Sequence, residues 1–116
     1  MIRFLISTVF LVSSHLFLSP NNIEGKWRGF AKSEVGEFPI SVAYQVEGQV
    51  LSGVFDDYGE LTPFEGGKIS GNSFEYQCSG QGYTFTHKGV VQGDTIHLIW
   101  SNPELGEGKG MLIRVD

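Results

Sequence analysis

Apolar and polar residues alternate along most of the chain with a period of two, the pattern of a strand that buries one face. Between positions 38 and 46 every even-numbered residue is apolar or aromatic, namely Phe38, Ile40, Val42, Tyr44 and Val46. Alternation also groups Tyr83, Phe85, His87, Gly89 and Val91 on one face, and Met111, Ile113 and Val115 on one face near the end of the chain. No stretch after residue 20 has a helical period, so the pattern predicts an all-β fold.

Glycines recur at nearly constant spacing, at positions 25, 48, 71 and 93, with intervals of 23, 23 and 22 residues. The last three separate two β-forming segments, and each is followed by one polar residue, as in Gly71-Asn72. This is the pattern of a two-residue hairpin whose first central glycine takes the positive φ of a type II′ turn. The segment around Gly25 is a partial copy of the same sequence motif.

A second series of glycines lies roughly midway between the first, at positions 36, 59, 82 and 106. The repeating unit is therefore a strand, a tight turn, a second strand and a longer loop. Four units predict about eight strands, near residues 25–32, 38–47, 50–56, 63–70, 73–79, 83–92, 95–101 and 110–116. Gly66 and Gly67 interrupt one of these strands and predict a β-bulge or sharp bend.

An eight-stranded antiparallel meander has two unpaired edges unless it closes on itself, and closure removes both. We therefore predict an up-and-down barrel of antiparallel strands, with a flattened barrel or a sandwich as the alternative. The turns at Gly48, Gly71 and Gly93 would lie at one end, which we call the hairpin end. The loops around Gly36, Gly59, Gly82 and Gly106 would meet at the other, which we call the loop end.

Residues 1–20 have the profile of a signal peptide, because Arg3 is followed by an apolar run from Phe4 to Leu18. We expect a single domain over residues 21–116 and a secreted or periplasmic protein. An uncleaved N-terminal anchor is the alternative, since no Ala-x-Ala cleavage motif is present.

The charge after the leader restricts the partners. Residues 22–116 contain seven Lys and Arg against thirteen Asp and Glu, a formal net charge of −6. Nucleic acid is a poor partner because phosphate binding needs a basic stripe, which the sequence lacks. The same acidity disfavours anionic membranes, so we expect no membrane contact beyond the leader.

Few residues are candidates for catalysis or metal binding. Cys78 is the only cysteine, which excludes an intrachain disulfide, and its alternation with Phe74 and Tyr76 predicts a small buried side chain. His87 is expected to be a satisfied core or rim residue and His97 to face outward; two histidines without further ligands predict no metal site. Asp56, Asp57 and Glu60 could supply oxygen ligands to Ca²⁺, although an acidic loop of this kind is more often only solvated. We expect no cofactor.

Gly25-Lys26-Trp27 near the start of the domain resembles the Gly-x-Trp signature of lipocalin and avidin-like barrels. Arg114 on the last strand matches the arginine that packs on that tryptophan, and such a pair caps one end of a barrel. The chain is also similar throughout to small secreted bacterial lipocalin-like domains of undefined activity. The resemblance implies a calycin-type barrel, although this chain is shorter than a lipocalin and has no C-terminal helix or disulfide.

The loop end is the predicted binding site. Glu37, Glu60 and Glu107 each follow a glycine of the second series, so a closed meander would place them around one rim. Asp56, Asp57, Tyr58 and Tyr83 are expected to join them. The carboxylates would favour a polar or cationic partner, and the tyrosines would offer flat contact area.

Three function classes follow from the sequence. The first is a binding or accessory module that recognises a small molecule, a glycan or a protein at the loop end, because barrel mouths commonly bind ligands. The second is a structural or protein-interaction domain with a filled core and no ligand. The third is a small hydrolase or isomerase, for which the sequence offers no nucleophile, base and orienting group together.

Overall fold

A computed structural model describes residues 23–34, 36–57, 59–80 and 82–115, although not the side chain of Asp57. The predicted leader lies outside the described residues. The described chain forms eight strands: β1 (Gly25–Ser33), β2 (Gly36–Glu47), β3 (Val50–Asp57), β4 (Glu60–Ser70), β5 (Ser73–Gly80), β6 (Tyr83–Gln92), β7 (Thr95–Asn102) and β8 (Gly106–Val115). The predicted all-β fold is confirmed.

The strands form a closed barrel in which each one pairs antiparallel with the next and β1 pairs with β8. The closing seam runs from Lys26 opposite Val115 to Lys32 opposite Lys109. The predicted meander and its closure are therefore both confirmed, and β1 and β8 are not free edges. No helix within the described ranges is long and apolar enough to span a bilayer.

The three hairpin turns have the predicted length, and their glycines have the predicted positive φ. Gly48, Gly71 and Gly93 have φ angles of 67°, 60° and 65°. A side chain at these positions would be strained, which explains why glycine recurs there. The residues that flank each turn are cross-strand partners, so each loop contains two residues: Glu47 pairs with Val50, Ser70 with Ser73, and Gln92 with Thr95.

Strand pairing continues further toward the loop end than the sequence predicts. β4 begins at Glu60 rather than at 63, and β8 begins at Gly106 rather than at 110. The difference arises because pairing continues almost to the loops, with Asp57 opposite Glu60 and Asn102 opposite Gly106. The loops at this end are consequently short.

The bulge predicted at Gly66 and Gly67 is present in β4. Leu51 pairs with Gly67, whereas Gly53, two residues on, pairs with Phe64. β4 therefore carries one extra residue there, and Gly66 has a φ of 74°. A bulge of this kind increases the local bend of a strand, which helps a small barrel to close.

The apolar alternation near the end of the chain lies on the outer surface of the barrel rather than in the core. Met111 and Ile113 are about half exposed, while Leu112 between them is fully buried. This orientation follows from the seam, because Arg114 pairs with Trp27 and must share its inner side. Phe30 on β1 also points outward, with 55% of its surface exposed.

Aromatic side chains fill the barrel interior. Phe64 stacks on Tyr76 with ring centroids 3.9 Å apart, and Tyr76 stacks on His87 at 4.9 Å. This column crosses β4, β5 and β6 on their inner side. Tyr44 packs against the column and shares a 3.0 Å hydrogen bond between hydroxyl groups with Tyr76. The wide rings leave little room for other large side chains, which explains the glycines on the inner face.

Gly89 provides the sharpest packing test. A Cβ atom placed at Gly89 would lie 2.2 Å from the Cζ atom of Phe74 and within 2.8 Å of two further ring atoms. Gly89→Ala should therefore lower the free energy of unfolding by about 1–3 kcal/mol, the usual range for an overpacked core. Urea unfolding monitored by circular dichroism would measure the loss.

The matched background for Gly89→Ala is Phe74→Leu, which removes the ring that the new methyl group would meet. In that background the added destabilisation from Gly89→Ala should shrink by at least half. An equal loss in both backgrounds would show that the alanine acts through the backbone and that Phe74 does not impose the glycine.

Candidate binding site at the loop end

The hairpin end of the barrel is closed by Trp27 and Arg114. The Trp27 indole is fully buried, and its Nε1 donates a 2.8 Å hydrogen bond to the carbonyl oxygen of Ile23. The Arg114 guanidinium carbon lies 4.4 Å from the centre of the indole ring, the geometry of a cation–π contact. Arg114 also donates to the Glu24 carbonyl oxygen at 3.2 Å and to an Asp94 carboxylate oxygen at 3.1 Å. The predicted contact between Trp27 and Arg114 is confirmed.

The loop end is less tightly covered. Four aromatic residues on its inner side are only partly buried, and we call them the aromatic collar: Phe38, Phe55, Tyr83 and Phe85. The Tyr83 and Phe85 rings lie 6.3 Å apart between centroids, and the Phe55 ring lies 4.9 Å from that of His87. The two ends of the barrel therefore differ, because the hairpin end has a hydrogen-bonded plug and the loop end has partly exposed rings.

Two polar atoms below the collar lack hydrogen-bond partners among the described residues. His87 and Trp100 are cross-strand partners on β6 and β7, and only 5% and 8% of their surfaces are exposed. Neither His87 Nδ1 nor Trp100 Nε1 makes a hydrogen bond to any described residue. A buried polar atom without a partner costs about 1–3 kcal/mol, so a water or ligand atom that met these two nitrogens would stabilise the fold.

Burial keeps His87 neutral under ordinary conditions. It lowers the pKa of His87 to about 4, because an imidazolium loses its hydration inside the barrel. A neutral imidazole has one donor nitrogen and one acceptor nitrogen, whereas an indole nitrogen only donates. The prediction that His87 is a core residue is correct, but the expectation that it is satisfied is wrong for Nδ1.

The predicted rim residues lie at the strand ends that form the loop end. Glu37 and Glu107 are exposed there, and Tyr83 is half buried in the collar. Glu37 forms a 3.6 Å ion pair with Lys32, which offsets part of its charge. Glu60 is also exposed at this end.

Two aspartates and a tyrosine complete the predicted set. The Asp56 carboxylate accepts a 2.8 Å hydrogen bond from the Gly59 backbone N–H and so stabilises the turn between β3 and β4. Its side chain alternates with that of Phe55 and lies on the outer surface instead of over the mouth. The Asp57 side chain and Tyr58 fall outside the described residues.

Asn102 is a loop-end residue that our sequence reasoning missed. It is buried, and its side-chain amide donates a 2.9 Å hydrogen bond to the Thr84 carbonyl oxygen. Its side-chain oxygen accepts hydrogen bonds from the backbone of Glu104 and Leu105. The available signal was the Asn-Pro dipeptide, which is typical of turn initiation. Asn102 thus fixes the loop that presents Glu107.

Cys78 does not have the surroundings of a nucleophile. It is buried as predicted, and its Sγ lies 3.8 Å from the Thr62 carbonyl oxygen. Burial raises the pKa of Cys78 to about 11, so the thiolate is disfavoured. Burial likewise raises the pKa of Tyr44. Within the described ranges no three His, Cys, Asp or Glu side chains are grouped as a metal site would require.

The outer surface of β2 carries an open groove of about 330 Å³. Its floor includes the small residues Ser41 and Ala43, with Arg28 on one wall and Val54 and Asp56 on the other. Unlike the loop end, this groove is not adjacent to the two unpartnered nitrogens in the interior. The loop end is therefore the stronger candidate site.

Comparison of the chain with protein-family models finds no match, and comparison with curated proteins finds none either.

Proposed function

We propose that this protein is a secreted, lipocalin-like binding module whose loop end takes up a hydroxyl-rich ligand, with a glycan as the first candidate. The single observation that carries the proposal is the pair of unpartnered nitrogens, His87 Nδ1 and Trp100 Nε1, below a partly exposed aromatic collar. Secretion and the lipocalin-like assignment are part of the proposal and derive from the leader profile and the Gly-x-Trp resemblance.

The chemistry of the loop end supports this class of ligand. A ligand hydroxyl that reached past the collar would offer an acceptor lone pair to the Trp100 N–H and either a donor or an acceptor to His87. Aromatic rings provide flat apolar surface for the faces of sugar rings, and carboxylates accept hydrogen bonds from their hydroxyl groups. Glu60, which lies on the same side of β4 as the buried Phe64, would supply a carboxylate, and Tyr83 would supply a ring. Glu37 and Glu107 lie beside it at outward-facing positions of the same end.

The carboxylates at the loop end make a cationic partner the competing ligand class. Carboxylates located around one end of a barrel repel each other weakly, and a bound cation would relieve this repulsion. A cation, however, gives no acceptor to the Trp100 N–H. The orphaned donor therefore favours an oxygen-bearing ligand.

Isothermal titration calorimetry with three probes would test the proposal: a trisaccharide of glucose, a trisaccharide of N-acetylglucosamine, and tetramethylammonium. We expect a trisaccharide to bind and Tyr83→Ala to weaken its binding by about tenfold, the effect of losing about 1.4 kcal/mol of contact energy. Glu60→Gln should weaken binding less, because an amide oxygen still accepts a hydrogen bond.

Val50→Ser is the matched control, since Val50 is exposed on β3 beside the hairpin end. It should leave the affinity unchanged. Binding of tetramethylammonium without either sugar would favour the cationic ligand class. Weakening by Val50→Ser but not by Tyr83→Ala, or no binding of any probe, would contradict a loop-end site.

A protein-interaction domain with a filled core is the second candidate function. The stacked interior of Phe64, Tyr76 and His87 favours it, because no large ligand could enter to that depth without moving these rings. The two candidates differ in what reaches Trp100: a ligand hydroxyl would contact its indole N–H, whereas a protein docked on the outer surface would not.

A further inference from the structure

Charged residues on the outer surface are segregated between the two halves of the barrel. Outward-facing positions on β6, β7, β8 and β1 carry five cations, Lys26, Arg28, Lys32, Lys88 and Lys109, against one acid, Glu107. Outward-facing positions on β2 to β5 carry five acids, Glu37, Glu47, Asp56, Glu65 and Glu75, against one cation, Lys68, among the side chains that are described. We call these the basic face and the acidic face.

The basic face also exposes a row of apolar side chains. Phe30 is the direct cross-strand partner of Met111, which in turn pairs with His97, and His97 pairs with Val90. Phe30, Met111 and Val90 are each between 41% and 55% exposed. Ile99 and Ile113 on the same strands are similarly exposed. This row crosses four neighbouring strands and lies between the cations.

The acidic face carries exposed apolar residues of its own. Val50, Val54 and Leu61 face outward there, and Leu61 has the highest exposed fraction of any large apolar residue described, 64%. The groove over β2 adjoins this face through Val54 and Asp56. Each face therefore combines exposed apolar surface with charge of one sign, and the two signs are opposite.

We propose that the basic face of one copy of this protein packs against the acidic face of a second copy. Opposite charges would orient the encounter, and burial of the apolar rows would hold the contact. Because two different surfaces meet, the association is heterologous, so a third copy can add to the second in the same way. This proposal does not depend on a ligand at the loop end.

The expected association is weak and sensitive to salt. Four strands spaced about 4.8 Å apart make each face roughly 20 Å wide, a small footprint next to stable protein interfaces. Exposed charges are screened over about 10 Å at 0.1 M salt and over about 3 Å at 1 M. Sedimentation velocity over a concentration series should show reversible species larger than a monomer at low salt and a monomer at about 0.5 M NaCl.

Charge reversal provides the decisive test. The double variant Arg28→Glu with Lys109→Glu leaves the basic face with three cations and three acids and so with no net charge, and the double variant Glu47→Lys with Glu65→Lys does the same to the acidic face. All four side chains are exposed, and within the described ranges none of them forms an ion pair, so both variants should fold, which circular dichroism would check. Each variant alone should associate far less than the parent protein. An equimolar mixture should regain association as one-to-one pairs, because the first variant keeps its acidic face and the second keeps its basic face.

Lys68→Glu is the matched control, because it reverses the one described cation of the acidic face. It makes the protein more negative, so general charge repulsion would weaken association, whereas the proposed contact predicts no weakening. The proposal is overturned if the parent protein is monomeric at every concentration and salt level. It is also overturned if either double variant associates as the parent does, or if the mixture stays monomeric.

Discussion

Replacing Trp27 by alanine should lower the free energy of unfolding by about 3–5 kcal/mol, the usual range for removing a large buried aromatic side chain. The indole is fully buried, bonds to the Ile23 carbonyl oxygen and lies under the Arg114 guanidinium. Its removal would leave a cavity at the closed end and an arginine without its aromatic partner. Urea denaturation at neutral pH would measure the change.

Phe30→Ala is the matched control for Trp27→Ala, because it also truncates an aromatic residue of β1. Phe30 points outward with 55% of its surface exposed, so its loss should change stability by less than about 1 kcal/mol. A loss below about 1 kcal/mol for Trp27→Ala, or equal losses for both variants, would mean that Trp27 does not plug the barrel.

Acid should destabilise the protein through His87. Its pKa is lowered by burial to about 4 in the folded state, against about 6.5 in an unfolded chain. Between these values the unfolded chain binds more protons, so stability is full above about pH 6.5 and falls as the pH drops toward 4. The His87 contribution to this fall is about 3 kcal/mol, at 1.36 kcal/mol for each unit of pKa difference.

His87→Phe should remove this part of the pH dependence, because a phenyl ring retains the stack on Tyr76 but cannot bind a proton. His97→Phe, on the outer surface, is the control and should leave the pH profile close to that of the parent. Free energies of unfolding from urea titrations between about pH 4.5 and 7 would be compared, a window that the His87 values define. Parallel profiles for His87→Phe and the parent would contradict the burial of a neutral imidazole.

Glycine spacing explains why the fold could be predicted so fully from the sequence. Gly48, Gly71 and Gly93 each mark a two-residue turn, since other residues tolerate its positive φ poorly. The turns then determine the pairing register, because the strands must continue from them residue by residue. Alternation from Phe38 to Val46 next predicted which side of β2 is buried, and Ile40, Val42 and Tyr44 are buried there.

The sequence was less informative about which side of β8 is buried, because glycines occupy part of its inner side. Met111 and Ile113 alternate as regularly as Ile40 and Val42, yet they face solvent. Their inward neighbours in β8 include Gly108 and Gly110, whose lack of a side chain hides the buried side of the strand from any hydrophobicity pattern. Only the pairing of Arg114 with Trp27 reveals the orientation, and that pairing depends on closure of the barrel.

The candidate site illustrates the same limit. The repeat positions in the sequence were enough to predict that Glu37, Glu60 and Glu107 lie at the loop end. They did not identify Trp100 as part of the site, because a satisfied and an unsatisfied indole have the same sequence context. Whether a buried nitrogen finds a partner depends on side-chain packing from several strands, which is a property of the assembled barrel.

The two tryptophans of the chain report on the two ends of the barrel in a single measurement. Each indole N–H gives its own signal in a ¹⁵N–¹H correlation spectrum. The Trp27 N–H donates to the Ile23 carbonyl oxygen at the hairpin end, while the Trp100 N–H below the collar has no partner among the described residues. On titration with a trisaccharide that binds, we expect the Trp100 indole signal to shift and the Trp27 signal to stay in place. A shift of Trp27 with Trp100 unchanged would place binding at the hairpin end and contradict a loop-end site.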